Sequence, residues 1–395
     1  MEYSILDTDL YKFTVSYAYM KLFPDAECTF TFCDRNKKPR TKEFFNKFVD
    51  LFNEFAKHAY LTHKEYDWLI NSHMIDFIPS YYWEWLSSFS FDPSKVNIYL
   101  DDDNILQINV TDKCYKATLY EIPFLFLVNE VNSLTYCGVD PVKTNQELIS
   151  KIALANGHEL KFSEFGTRRR YSQYVQNSII NLINMQSDTC VGTSNVLFAM
   201  RYNMRPCGTH PHEWFMFHGA QYGYQSANYM ALENWVNVYD GDLGIALTDT
   251  YTSDVFFSNF STKQAKLFDG IRQDSGDELD FTVKALNFYN SKGINPKTKT
   301  IVYSNALNFE KAAYIKDRVS DNINASFGIG TNLTCDVWLI NGEHVTPENI
   351  VMKMSKCRMN ENQRWINTIK ISDDLGKHMG DSDEFNAACQ ILKIK

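Results

Sequence analysis

The stretch GTHPHEW carries His210 and His212 one residue apart, with Glu213 directly after the second. Three chemistries use residues of these types. Closely spaced imidazoles with a carboxylate can ligate zinc; a catalytic zinc needs a further ligand, and Asp249 and Asp254 are the candidates. A carboxylate beside an imidazole can fix its tautomer and raise its basicity, which is the role open to Glu213 beside His212. A basic, oriented imidazole is also a nucleophile. His210 can equally be a plain loop residue. Spacing alone leaves these readings open.

Four other stretches carry chemistry. In FSEFGTRRRYS (162–172), Phe165 precedes a glycine and Arg168, Arg169 and Arg170. Guanidinium forks suit a carboxylate or phosphate, and an aromatic face stacks on a flat ring. Three arginines at a helix start oppose the helix dipole, and an anionic ligand would resolve that conflict. In GIRQDSGDE (270–278), Asp274 and Asp277 flank Gly276 just after Arg272. Such carboxylates hold ribose hydroxyls or magnesium, or they cap a helix. In SFGIGTN (326–332), Gly328 and Gly330 at a strand end would let backbone N–H groups approach a phosphate, or simply make a turn. In DTDLYKF (7–13), Asp7 and Asp9 read as N-caps of a following helix, and spacing gives Tyr11 no role.

These residues need a frame. FFNKFVDLFNEF (44–55) has aromatic residues at helical spacing. VNIYL (96–100) and ILQINVT (105–111) flank a turn at Asp101–Asn104 and read as a hairpin. From about residue 130, short apolar runs alternate with helical stretches, and each run exits into a polar loop: 160–167, 243–254, 300–305 and 325–332. Repeated strand–loop–helix units predict a parallel α/β core, compatible with a barrel, in which the loops after strands build the active site. After about 340, Ile350, Met352 and Met354 alternate and INTIKIS (366–372) follows, a strand pattern that can join the N-terminal strands in a discontinuous second domain. The division expected is 1–130 plus 340–395 against 131–339.

The 395 residues are 44% hydrophobic with a net charge of −9, a globular composition that does not point to a nucleic-acid partner. Nine cysteines without a CxxC pair fit free thiols in a reducing cytoplasm. The longest apolar run, IPFLFLV (122–128), is far shorter than the roughly 20 residues of a membrane span.

Taken together the motifs identify a resemblance. The chain resembles nicotinate phosphoribosyltransferase, an enzyme family of NAD salvage, through DTDLYKFTVSYAYMKLFPDAECTFTFCDR (7–35), FSEFGTRRRYS, VGTSNVLFAMRYNMRPCGTHPHEW (191–214), LGIALTDTYTSDVF (243–256), GIRQDSGD, SFGIGTNLTCD (326–336) and IKISDDLGKHMGD (369–381). The resemblance implies an irregular α/β barrel with a second, discontinuous α+β domain formed by N-terminal and C-terminal segments. It implies a homodimer with shared active sites. The implied reaction joins nicotinate to phosphoribosyl pyrophosphate, giving nicotinate mononucleotide and pyrophosphate, with Mg2+ and with ATP hydrolysis coupled through a phosphohistidine. On this resemblance His212 is the phosphate acceptor. Phe165 and Tyr11, the latter from the partner subunit, stack on nicotinate. Arg168 and its neighbours Arg169 and Arg170 face anionic groups. Arg272 and Asp274 hold the pyrophosphate and ribose portions. Gly330 and Thr331 cradle the 5′-phosphate, and Ser194 and Asn305 lie near the substrate. Asn305 departs from the family pattern, which often has Asp there. Rival readings are a nicotinamide- or quinolinate-type transferase, a zinc-dependent barrel hydrolase, and a catalytically dead regulatory relative.

Overall fold

In the computed structural model, residues 1–394 are described except 136–137, 375–377 and 379. The LGK segment and Met379 of the 369–381 motif therefore lie outside the described residues.

Two sheets organise the chain. The first is antiparallel, in the order β11-β10-β1-β3-β2, built from β1 (Glu27–Asp34), β2 (Val96–Leu100), β3 (Leu106–Lys113), β10 (Ile350–Arg358) and β11 (Ile366–Asn367). β2 and β3 form the hairpin read from sequence, and Asp101 Oδ1 closes its turn by accepting from the backbone N–H groups of Asp103 and Ile105. β10 pairs along the whole of β1, so the sheet unites strands from the two ends of the chain. Its alternating Ile350, Met352 and Met354 are buried. The helix Lys42–His58 caps on Thr41 and turns Phe44, Phe48, Phe52 and Phe55 inward.

The second sheet is parallel, in the order β5-β4-β9-β8-β7-β6, from β4 (Phe162–Glu164), β5 (Cys190–Thr193), β6 (Ile245–Leu247), β7 (Gly270–Gln273), β8 (Thr300–Tyr303) and β9 (Asn324–Ile329). Helices follow these strands, as a parallel sheet requires, because its crossovers must cover its faces. β5 and β6 stand at the two ends of the order; among the described residues no hydrogen-bonded ladder joins them. The mixed α/β class is as the sequence indicated.

One strand is shorter than read. Residues 366–372 were expected to be extended throughout, but β11 stops at Asn367. The chain then leaves the sheet, and the N–H of Ile371 donates to the carbonyl of Thr250 (2.9 Å) at the end of the parallel core. This detour carries Lys370 into the site. Among the described residues, no helix is long and apolar enough to cross a membrane.

Candidate active site

The C-terminal ends of the six parallel strands lie along one side of their sheet. Phe165 and Arg168 follow β4, Ser194 follows β5, Asp249 and Thr250 follow β6, Asp274 follows β7, Ser304 and Asn305 follow β8, and Gly330 and Thr331 follow β9. Side chains that follow strand ends are positioned by the rigid sheet, the place where such folds build their sites.

His212 is the first residue of the helix His212–Tyr222, in the long excursion between β5 and β6. Its ring is buried, with Nδ1 3.0 Å from Thr250 Oγ1, and with Nε2 3.1 Å from Asp274 Oδ2 and 2.9 Å from Lys370 Nζ. One neutral ring satisfies these partners in two ways. With its proton on Nε2 it donates to Asp274; with its proton on Nδ1 it donates to Thr250 and accepts from Lys370 at Nε2. Burial, then the Lys370 ammonium, push its pKa down to about 4. The imidazole is therefore neutral at physiological pH, and one ring nitrogen carries a lone pair.

This corrects the role given to Glu213. Successive side chains on a helix diverge, and the Glu213 carboxylate turns the other way, accepting from Lys12 Nζ (2.5 Å) and Thr118 Oγ1 (2.6 Å). It does not raise the basicity of His212. The carboxylates that face the ring are Asp274 and, at 3.8 Å, Asp249.

The zinc reading on both histidines also fails. His210 is buried edge-on against Phe215 and Trp235, and neither ring nitrogen has a hydrogen-bond partner among the described residues. Asp254 is on the surface, paired with Lys284. The ligand-bearing atoms that do converge belong to His212, Asp249 and Asp274, all within 4.8 Å of one another. Lys370 Nζ lies 3.5 Å from Asp249 Oδ2, so a fixed cation already sits against this group.

Asp274 is the centre of the acidic side. Against the cost of burial, Arg272, the His212 hydrogen bond and Lys370 hold its carboxyl well below the usual range. Arg272 Nη2 donates to Asp274 Oδ1 (3.2 Å), while Ser304 Oγ accepts from Arg272 Nε (2.8 Å). Asp277, the other acid of the motif, caps the helix Glu278–Ser291 through the N–H groups of Leu279 and Asp280. The capping reading of that motif holds for Asp277. Asn305 Nδ2 donates to the carbonyl of Gly276 (3.2 Å). An aspartate could not make that bond, which gives the departure at this position a physical role.

On the basic side the three arginines separate. They lie ahead of the helix Gln173–Gln186, Arg168 and Arg169 in the single turn Thr167–Arg169, so the dipole conflict does not arise. Arg170 is fully buried in a bidentate pair with Asp7 (2.6 and 2.8 Å), beside Glu130, and is not available to a ligand. Asp7 is thus no N-cap. Asp9 occupies the cap position but makes no side-chain cap bond; it accepts instead from Ser194 Oγ (2.7 Å).

Arg168 and Arg169 remain, and neither pairs with a carboxylate within 4 Å among the described residues. Burial opposes the charge of Arg168, and Tyr11, Glu121, Asp274 and Asp9 sustain it. Arg169 is pushed down to about 9 by burial, then by Arg168 and Arg35. Arg168 disfavours the charge of both Arg169 and Arg35, and a cluster of like charges is a place where an anion is favoured. Tyr11, half-buried on the helix Leu10–Leu22, feels both Glu121 and Arg168 of its own chain.

Gly328 and Gly330 serve Phe165. A Cβ at Gly328 would lie 2.5 Å from the Phe165 ring, and one at Gly330 would lie 2.7 Å from the Phe165 carbonyl. Their lack of side chains makes room for the Phe165 ring and backbone. Thr331 opens the short turn Thr331–Thr334 beyond.

The sequence reading missed Lys370, Thr250 and Arg35. Lys370 lies 158 positions from its partner His212, and no local spacing signals that contact.

Comparison with known proteins gives a single answer. Residues 160–395 match the model of the nicotinate phosphoribosyltransferase (NAPRTase) family, and residues 6–129 match that of the NAPRTase N-terminal domain. The chain is 37% identical to the nicotinate phosphoribosyltransferase of Desulforapulum autotrophicum, covering 99% of this chain and 98% of the relative. It is 40% identical to that of Chromohalobacter salexigens, with the same coverage. The crystal structure of nicotinate phosphoribosyltransferase from Porphyromonas gingivalis superposes with a TM-score of 0.96 at 42% identity over 100% of both chains. That from Vibrio cholerae gives 0.90 at 27% identity, covering 99% of this chain and 94% of the other.

Proposed function

The chain belongs to the nicotinate phosphoribosyltransferase family, and on that premise we propose that His212 couples its phosphoribosyl transfer to ATP through a phosphohistidine. The transfer is the family's: nicotinate and phosphoribosyl pyrophosphate give nicotinate mononucleotide and pyrophosphate. The observation that carries the coupling is the buried, neutral imidazole held between Thr250, Asp274 and Lys370.

The residues divide the work by charge. Phe165 offers the face on which the pyridine ring stacks, and Arg168 with Arg169 and Arg35 faces the carboxylate and phosphate groups. Tyr11, contributed across a homodimer interface, would close the other face. The ring nitrogen carries its own lone pair, so no strong base is needed; orientation and stabilisation of the departing pyrophosphate do the catalysis. Magnesium enters with the phosphates of phosphoribosyl pyrophosphate and ATP. Asp249 and Asp274 fit such an ion: both are oxygen donors, and the buried Asp249 Oδ1 has no hydrogen-bond partner among the described residues. Ser194, Asn305, Gly330 and Thr331 line the ribose and 5′-phosphate end. The free cysteines among the described residues fit a cytoplasmic location.

The experiment compares wild type with His212→Ala in nicotinate mononucleotide synthesis, with and without MgATP. The variant is expected to keep a weak ATP-independent transfer and to lose both ATP stimulation and steady ATP hydrolysis. Full ATP coupling in the variant would refute the phosphohistidine.

A further inference from the structure

Lys370 reaches His212 from a segment that belongs to neither strand nor helix. Thr368 Oγ1 donates to the carbonyl of Met354 (2.6 Å), and the N–H of Ile371 donates to the carbonyl of Thr250, so the chain is pinned on either side of Lys370, once to each sheet system. Thr250 also holds His212 Nδ1. The lysine and the imidazole are therefore positioned by the same strand end. The Lys370 side chain is 7% exposed, and an ammonium has three protons to donate. Among the described residues it lies 2.9 Å from His212 Nε2, the atom whose lone pair would react, and 3.5 Å from Asp249 Oδ2. A buried ammonium with three protons and these two partners can still donate to an incoming phosphoryl oxygen.

The carboxylates on the other side make the same point. His212, Asp249 and Asp274 bring their ligand atoms as close together as a metal centre does. Lys370 brings its ammonium to the same group, 3.5 Å from Asp249 Oδ2, so Asp249 and Asp274 take a divalent ion only when it arrives with the substrate phosphates.

We propose that Lys370 is a further catalytic residue of the phosphoryl step, its ammonium serving as the built-in cation of the His212–Asp249–Asp274 group. This rests on the phosphohistidine reading. The Nε2 lone pair attacks the γ-phosphorus of ATP. The N–P bond forms as the bond to the β,γ-bridging oxygen breaks, and that electron pair leaves with ADP. The Nδ1 proton stays on the ring, donated to Thr250 Oγ1. Lys370 moves its hydrogen bond from Nε2 to a phosphoryl oxygen, so charge is met where it develops.

The test uses full-length wild type, Lys370→Met and Lys370→Arg. Each is incubated with γ-labelled MgATP and scored for acid-labile, base-stable label on histidine. Each is separately titrated with Co2+ without nucleotide and read by visible absorption. Wild type should label and bind no cobalt at this group. Lys370→Met should label about 100-fold more slowly and acquire a cobalt spectrum. Lys370→Arg should recover part of the labelling and exclude the metal. Labelling of Lys370→Met at the wild-type rate would overturn the proposal. Wild type that never labels would instead overturn the phosphohistidine reading on which it stands. A merely structural lysine would slow labelling without creating a cobalt site, so a slow Lys370→Met that binds no cobalt also counts against it.

Discussion

At the scale of the residue, the site works by removing water from charges and leaving them partly unsatisfied. His212 shows this most directly. Its pKa of about 4 lies below the ordinary 6.5 because burial and then Lys370 disfavour the imidazolium. The neutral, nucleophilic form is present above the folded pKa and is lost as pH falls through it. Phosphoenzyme formation is therefore expected to be flat from pH 8 to 6 and to fall only as pH approaches about 4. Rapid-quench labelling across pH checks this; a midpoint near 6.5 would mean that the imidazole is not depressed. Arg168 makes the complementary case. It meets no carboxylate within 4 Å among the described residues, so its charge is available to substrate. Replacing it by Ala removes a charge-assisted hydrogen bond of about 1.5–3 kcal/mol, so KM for an anionic substrate should rise about 10- to 100-fold. Steady-state kinetics on nicotinate and phosphoribosyl pyrophosphate decide it; unchanged KM for both would remove the arginines from the anion site.

Elements explain why some of these residues were legible in the sequence and others were not. Asp274 was legible as a candidate because the strand, the Arg272 before it and the Gly276 after it are contiguous. Phe165 and Arg168 were legible for the same reason. Lys370, Thr250 and Arg35 were not, because their roles come from the meeting of segments far apart in the chain. The capping assignments at Asp7 and Asp9 failed for a related reason: Arg170 and Ser194, distant in sequence, compete for those carboxylates and win. Likewise, INTIKIS alternates well enough for a strand, but the pull of Thr250 on Ile371 ends it early. The glycine pair of β9 offers an element-scale test. Gly328→Ala would place a Cβ 2.5 Å from the Phe165 ring and must tilt it. Small misplacements of a positioning group can cost as much as about 100-fold, so KM for nicotinate should rise severalfold or more while ATP hydrolysis without nicotinate changes less. An unchanged nicotinate KM would mean that Phe165 is not the platform.

For the whole molecule, the two ends of the chain are structurally one. β10 lies between β11 and β1, and the segment after β11 supplies Lys370, Asp373 and Asp374 to the mouth of the parallel core. Asp373 accepts from the N–H of Ser253 (3.0 Å), and Asp374 from that of Gly276 (3.0 Å). The antiparallel sheet is thus part of the active site's construction. The proposed homodimer adds a further level, since it brings a second Tyr11 to each site. Sedimentation should find a particle of twice the chain mass under assay conditions, and activity should fall on dilution into monomer; a fully active monomer would contradict the shared site.

The most direct test of the account is product formation from nicotinate and phosphoribosyl pyrophosphate with Mg2+, with and without ATP, using nicotinamide as the control ring. Nicotinate mononucleotide formed from nicotinate, boosted by ATP, with little product from nicotinamide, is the predicted result. Equal turnover of the two rings, or no response to ATP, would contradict a carboxylate-selective site coupled to ATP through His212.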